Sequence, residues 1–138
     1  MRILVVDDEL VSRNKMKKML GKFGKCEVVE RGSAAITAFK NAWENWRPFD
    51  LITLDITMPE MDGKKVLSEI RRIEEENKVP GRKQVKILMV TAHSDPDTII
   101  SCAHLGCDDY LLKPFSPYVL ATKLKELGFE VDRKKAKG

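Results

Sequence analysis

The sequence predicts a doubly wound α/β protein, a parallel sheet with helices on both faces. Short apolar runs alternate with amphipathic stretches five times from end to end. Most of those runs are continuously apolar rather than alternating, as strands covered on both faces are. Strict β-α alternation joins parallel strands by helical crossovers, which places helices on both sides of one sheet.

The strands are expected at Ile3–Val6, Glu27–Glu30, Leu51–Asp55, Val85–Thr91 and Asp109–Leu112. Between them, helical spacing puts Met16, Met19, Leu20 and Phe23 on one face. The same spacing groups Phe39, Ala42, Trp43 and Trp46, then Val66, Leu67, Ile70 and Ile73, and finally Leu120, Leu124 and Leu127. Asp95-Pro96 and Ser116-Pro117 each read as an N-cap followed by proline at the first helical position. Gly24, Gly106 and Gly128 stand where helices one, four and five should stop, and Pro80-Gly81 marks the loop before strand four. Of the two common doubly wound orders, the flavodoxin-like 2-1-3-4-5 fits five strands.

Composition agrees with one globular domain. The chain has 138 residues, 43% apolar and 33% charged, which excludes a disordered polymer. No apolar run approaches the ~20 residues of a membrane span, so no membrane insertion is expected. The N-terminus enters Ile3-Leu4-Val5-Val6 directly, without the pattern of a signal peptide. Cys26, Cys102 and Cys107 are odd in number and lack C-x-x-C spacing, which speaks against a disulfide framework or zinc and for a reducing cytoplasm. The formal charge is +4, but Arg133, Lys134, Lys135 and Lys137 against Asp132 give the last eight residues +4 − 1 = +3. A domain over residues 1–128 with a basic tail or linker stub over 129–138 follows. The tail reads first as a solvated end, with a nucleic-acid or acidic-partner contact as its functional alternative.

Ligands of doubly wound sheets sit beyond the carboxyl ends of the strands, and polar residues gather there. Strand one ends in Asp7-Asp8, strand three in Asp55, strand four in Thr91, and strand five runs into Lys113-Pro114. In the expected order these four strands are contiguous, and neighbours lie ~4.8 Å apart, so Asp8 and Asp55 come within reach of a shared ligand. Crowded carboxylates repel one another unless a cation joins them, and an oxygen-only donor set suits a hard ion such as Mg²⁺. Each residue alone has a plainer explanation: an N-cap for Asp7-Asp8, a β-branched strand residue for Thr91, a surface lysine for Lys113. All of them at the ends of the right strands is a less probable coincidence.

These residues resemble the receiver domain of two-component response regulators, in particular its stand-alone, chemotaxis-type members. The resemblance rests on Ile3–Glu9, on Asp50–Gly63 with its Asp55-Ile56-Thr57-Met58-Pro59 core, on Val90-Thr91-Ala92 and on Asp109–Phe115, and it covers about residues 1–128. It implies that Asp55 is the phosphoacceptor and Asp8 a direct Mg²⁺ ligand. Asp7 would act largely through water, and the Thr57 backbone carbonyl would complete the protein ligands. Lys113 and Thr91 would meet phosphoryl oxygens whose charge spreads in the transition state. The phosphoryl donor would be a histidine kinase or phosphotransfer protein. A cis Lys113-Pro114 bond is also expected.

The resemblance further implies a switch. Thr91 moves toward the phosphoryl group and Tyr110 turns inward. The face formed by helix four, strand five and helix five is thereby remodelled for a downstream protein target. Direct DNA binding is not expected. On that face, placing Ala103 inward turns Ile100 inward and Ile99 toward solvent, beside Tyr118 on the first turn of helix five.

Two other chemistries use similar parts. A haloacid-dehalogenase-type phosphatase needs a second Asp two residues after its nucleophile, where Thr57 stands. A flavodoxin-type electron carrier needs a neutral loop after strand one, where Asp7-Asp8-Glu9 would repel the flavin phosphate. A single-domain regulator, a receiver excised from a longer protein and a phosphate sink all remain compatible with the chain.

Overall fold

A computed structural model describes residues 1–131. Five strands alternate with five α-helices: β1 (Arg2–Val6), α1 (Leu10–Leu20), β2 (Lys25–Val29), α2 (Gly32–Glu44), β3 (Leu51–Asp55), α3 (Gly63–Glu76), β4 (Lys86–Thr91), α4 (Pro96–Leu105), β5 (Asp109–Leu112) and α5 (Pro117–Glu126). All neighbouring strands are parallel, in the order β2-β1-β3-β4-β5. This is the expected flavodoxin-like arrangement.

The two-residue period of a strand divides the apolar runs between two cores. Leu4 and Val6 join Phe39, Leu67, Ile70 and Cys102 beneath α2, α3 and α4. Ile3 and Val5 join Met16, Leu20, Leu120 and Leu124 beneath α1 and α5. The predicted caps are formed: Asp95 accepts from the Thr98 N–H at 3.0 Å, and Ser116 accepts from the Val119 N–H at 3.2 Å. Gly106 ends α4 in the left-handed region at φ 103°, and its N–H reaches the carbonyls of Cys102 and Ala103.

Several local expectations differ from the structure. β2 begins two residues earlier than its apolar run, because an edge strand needs only one covered face and tolerates the exposed Lys25 and Glu27. Gly21 rather than Gly24 caps α1; Gly24 instead lets the chain pass the Met1 carbonyl, where a Cβ would stand 2.5 Å away. Trp46 lies outside α2, with φ 58° and 91% exposure, since Asn45 already closes that helix on the Asn41 carbonyl. In α4 the stripe is rotated by one residue. Cys102, 1% exposed, anchors the inner face together with Ile99, so Ile100 is the exposed residue at 54% and Ala103 also faces solvent. The exposed isoleucine of this face is therefore Ile100, not the expected Ile99. Residues 132–138, most of the basic tail, lie outside the described residues.

Candidate phosphoacceptor site

The carboxyl ends of β1, β3, β4 and β5 place the acidic and basic groups together. One oxygen from each of Asp7, Asp8 and Asp55 lies within 4.8 Å of the others. Asp7 is buried, Asp55 half-buried and Asp8 exposed, so the cluster opens to solvent on one side. Asp7 does not cap α1, whose N-cap is Glu9; its Oδ1 accepts from the Glu9 N–H at 3.0 Å, and its carbonyl accepts from Arg13 Nη1 at 3.0 Å. Those bonds hold the chain as it leaves β1.

Lys113 crosses from the end of β5 to the cluster. Its Nζ stands 3.2 Å from Asp7 Oδ2 and 3.3 Å from Asp55 Oδ2. The Lys113-Pro114 peptide is cis, as expected, and the Lys113 N–H donates to the Thr91 carbonyl at 2.8 Å. Burial raises the Asp55 pKa above the usual carboxylate range, and the Asp7 charge adds to the rise while Lys113 opposes it. Burial works against the Lys113 charge as well, but Asp55 and Asp7 outweigh it and its pKa lies above the ordinary lysine value. A carboxylate so placed is short of positive charge, and oxygen-only donors around it fit a hard divalent cation such as Mg²⁺.

The loops that follow β3 and β4 meet beside this cluster. Asp55 and Val90 are register partners, so Thr57 and His93 leave adjacent strand ends side by side. Thr57 donates its N–H to Asp55 Oδ1 at 3.2 Å, and its Oγ1 lies 2.8 Å from His93 Nε2. His93 also donates its N–H to Thr91 Oγ1 at 3.0 Å, which fixes that buried hydroxyl. α3 can begin so close to β3 only because residue 63 is glycine; a Cβ there would collide with the Asp55 carbonyl oxygen. His93 carries no motif in the sequence and escaped notice there; its place two residues past Thr91 is its only signal.

Tyr110 is half-buried on β5 and packs on the α2-α3-α4 side core. Lys123 of α5 stands 5.4 Å over its ring and 3.1 Å from Asp109 Oδ1. Beside them, Ile100, Leu112, Tyr118 and Val119 expose apolar surface on α4, β5 and α5.

Comparison with known proteins agrees with this geometry. Residues 3–125 match the family model of the response regulator receiver domain. The chain is 38% identical over 117 residues to the chemotaxis protein CheY of Bacillus subtilis, covering 83% of this chain and 86% of that one. It is 36% identical over 134 residues to the probable transcriptional regulator ycf27 of Porphyridium aerugineum, covering 96% of this chain but only 50% of the relative. The chain thus spans about half the length of the ycf27 regulators that it matches. Among solved structures, the receiver domain of the Arabidopsis thaliana histidine kinase CKI1 complexed with Mg²⁺ superposes with a TM-score of 0.78 at 30% identity, over 91% of this chain and 90% of that one. Vibrio cholerae CheY4 superposes with a TM-score of 0.76 at 27% identity, over 91% of this chain and 96% of that one. No described helix is long and apolar enough to cross a membrane. With a carboxylate cluster, a bridging lysine and a buried threonine at the strand ends, this chain belongs to the response regulator receiver domain family.

Proposed function

We propose that Asp55 accepts a phosphoryl group from the phosphohistidine of a kinase or phosphotransfer protein, and that the acyl phosphate switches the α4-β5-α5 face. The observation that carries this reading is Lys113 Nζ, set 3.3 Å from Asp55 and 3.2 Å from Asp7 at the mouth of a three-carboxylate cluster. Asp55 attacks phosphorus through a carboxylate oxygen while the donor nitrogen leaves with the electron pair of the broken P–N bond. Lys113 then faces one phosphoryl oxygen and the Thr91 hydroxyl another. Asp8, Asp55 and the Thr57 carbonyl would hold Mg²⁺ directly, with Asp7 acting through water. When bound, the ion supplies charge neutralisation at a phosphoryl oxygen and relieves the repulsion among the carboxylates. Water later cleaves the mixed anhydride.

The added charge of about −1.5 to −2 on Asp55 draws Thr91 away from its His93 bond. Tyr110 then moves inward beneath α4. The downstream partner is a protein that reads Ile100, Leu112 and Tyr118, and three free thiols suit work in a reducing cytoplasm. Intact-mass measurement with acetyl phosphate and Mg²⁺ tests the assignment. One added phosphoryl group is expected, absent in Asp55→Asn and retained in Asp95→Asn; full labelling of the Asp55 variant would overturn it.

A further inference from the structure

A second ligand site is suggested on the far side of the sheet from Lys113. A cleft of about 860 Å³ runs between α2 and the β2 edge, lined by Arg2, Glu27, Arg31 and Arg47 and by a wall of α2 side chains. Its charge is lopsided: three guanidiniums face one carboxylate, a local balance of +3 − 1 = +2. Glu27 approaches Arg2 Nη2 only to 3.9 Å, too far for a hydrogen bond. The side chains of Arg31 and Arg47 form no ion pair among the described residues, whereas Arg71 and Arg72 each hold two carboxylates.

Arg2 is held in place by its neighbours. Its guanidinium lies 4.7 Å over the Phe49 ring, and its Nη1 has no surface open to solvent and no partner among the described residues. The rest of the side chain, 28% exposed, is what a ligand in the cleft would meet.

The wall narrows the ligand class. Ser33, Thr37 and Asn41 repeat every fourth residue along α2, so two hydroxyls and an amide face one way, and Asn45, which closes the helix with its Nδ2 donated to the Asn41 carbonyl, follows them with no charge among the four. Ala34, Ala38 and Ala42 lie beside them and leave room for a ligand to approach. No aromatic ring lines the cleft, so nothing there stacks a nucleobase. Guanidinium forks match phosphate oxygens in pairs, and neutral hydroxyls and amides match sugar or polyol hydroxyls. We infer that the α2-β2 cleft binds a bisphosphorylated sugar or polyol, its phosphates held by Arg2, Arg31 and Arg47 and its hydroxyls by the α2 wall.

Fructose 1,6-bisphosphate is a suitable probe, titrated into the full chain by calorimetry and by amide NMR, with fructose 6-phosphate, fructose and sulfate for comparison. Saturable binding is expected with a Kd below about 1 mM at moderate salt. The bisphosphate should bind at least about tenfold tighter than the monophosphate, with fructose silent. Shifts should map to Arg2, Glu27 and residues 31–47. Arg31→Ala and Arg47→Ala, both at exposed positions, should each weaken binding about fivefold or more. Asp55→Asn should bind as the parent does, so this site and the phosphoacceptor site stand or fall separately. No saturation by about 10 mM, equal affinity for sulfate, or shifts confined to Asp7, Asp55 and Lys113 would each overturn the inference.

Discussion

The side chains of Thr57 and His93 meet at 2.8 Å across the seam between β3 and β4, two residues beyond Asp55 and Thr91 respectively. This contact continues the pairing of the two strands past their ends with side chains instead of backbone. It ties the loop that follows Asp55 to the loop that follows the buried Thr91.

Removing either partner should therefore loosen the same closure. His93→Ala and Thr57→Val are each expected to change the rate of Asp55 labelling by acetyl phosphate by about two- to tenfold. The double variant should do little more than either single one, since both remove one bond. Rates from intact mass measure this; fully additive effects would mean that the two side chains act independently.

Asp55 itself should be a stability liability at neutral pH. Its pKa is raised by burial, so the folded state binds this proton more tightly than the unfolded state does. The stability it contributes is present at low pH and is lost as pH rises through the raised folded value. In EDTA at pH 7, Asp55→Asn should melt about 2–5 °C above the parent, with the gap shrinking as pH falls toward the ordinary carboxylate range. Mg²⁺ should raise the parent's melting temperature more than the variant's. A lower melting temperature for the variant at pH 7 would contradict the sign.

At the opposite end of the sheet, Glu74 has no exposed side-chain surface; it accepts from Arg71 Nη1 at 2.6 Å and from the Val85 N–H at 2.8 Å. Arg71 also donates to the carbonyls of Gly106 and Val85 and to Asp108. Arg71→Ala strands a buried carboxylate and should cost about 3 kcal/mol in urea denaturation. Arg72→Ala, which breaks only exposed i,i+3 and i,i+4 pairs, should cost less than about 1 kcal/mol. Equal costs would show that burial of Glu74 is not what matters.

Exposed apolar residues on α4 and α5 set the expectation for output. Ile100→Asp and Tyr118→Ser should spare labelling of Asp55 yet weaken phosphorylation-dependent binding of the downstream protein, whereas Ile99→Val should leave binding unchanged. Pull-down from phosphorylated and unphosphorylated samples separates these outcomes. Unchanged affinity in both surface variants would move the output face elsewhere.

Thiol chemistry should be slow. Burial, with the neighbouring Cys102 and Asp108, pushes the Cys107 thiol up to about 11. At pH 8 only about one molecule in a thousand then carries that thiolate, so iodoacetamide should label Cys107 roughly a hundredfold slower than after denaturation. Labelling at equal rates in both states would show the thiol to be freely ionised.

Sequence alone determined the alternation of elements, the strand order and the gathering of Asp7, Asp8, Asp55, Thr91 and Lys113 at one end. Periodicity and strand-end position are local signals, and in a doubly wound sheet the topology converts them directly into proximity. It also located the caps at Asp95 and Ser116, because capping is satisfied within four residues. Tertiary structure decided what depends on a neighbour distant in the chain. Which isoleucine of the adjacent pair faces inward was set by Cys102 docking beneath α4, and periodicity alone could not choose between stripes one residue apart. Trp46 fits the helical face of α2 in the sequence, yet it stands in solvent because the helix ends before it. The Thr57–His93 bond joins two loops, and no spacing in the chain encodes it, since it arises only when packing fixes where those loops meet. Arg71 and Glu74 are three residues apart on α3, a pairing the sequence permits, but the burial of Glu74 against the Val85 N–H is decided only when the chain ahead of β4 packs on that helix.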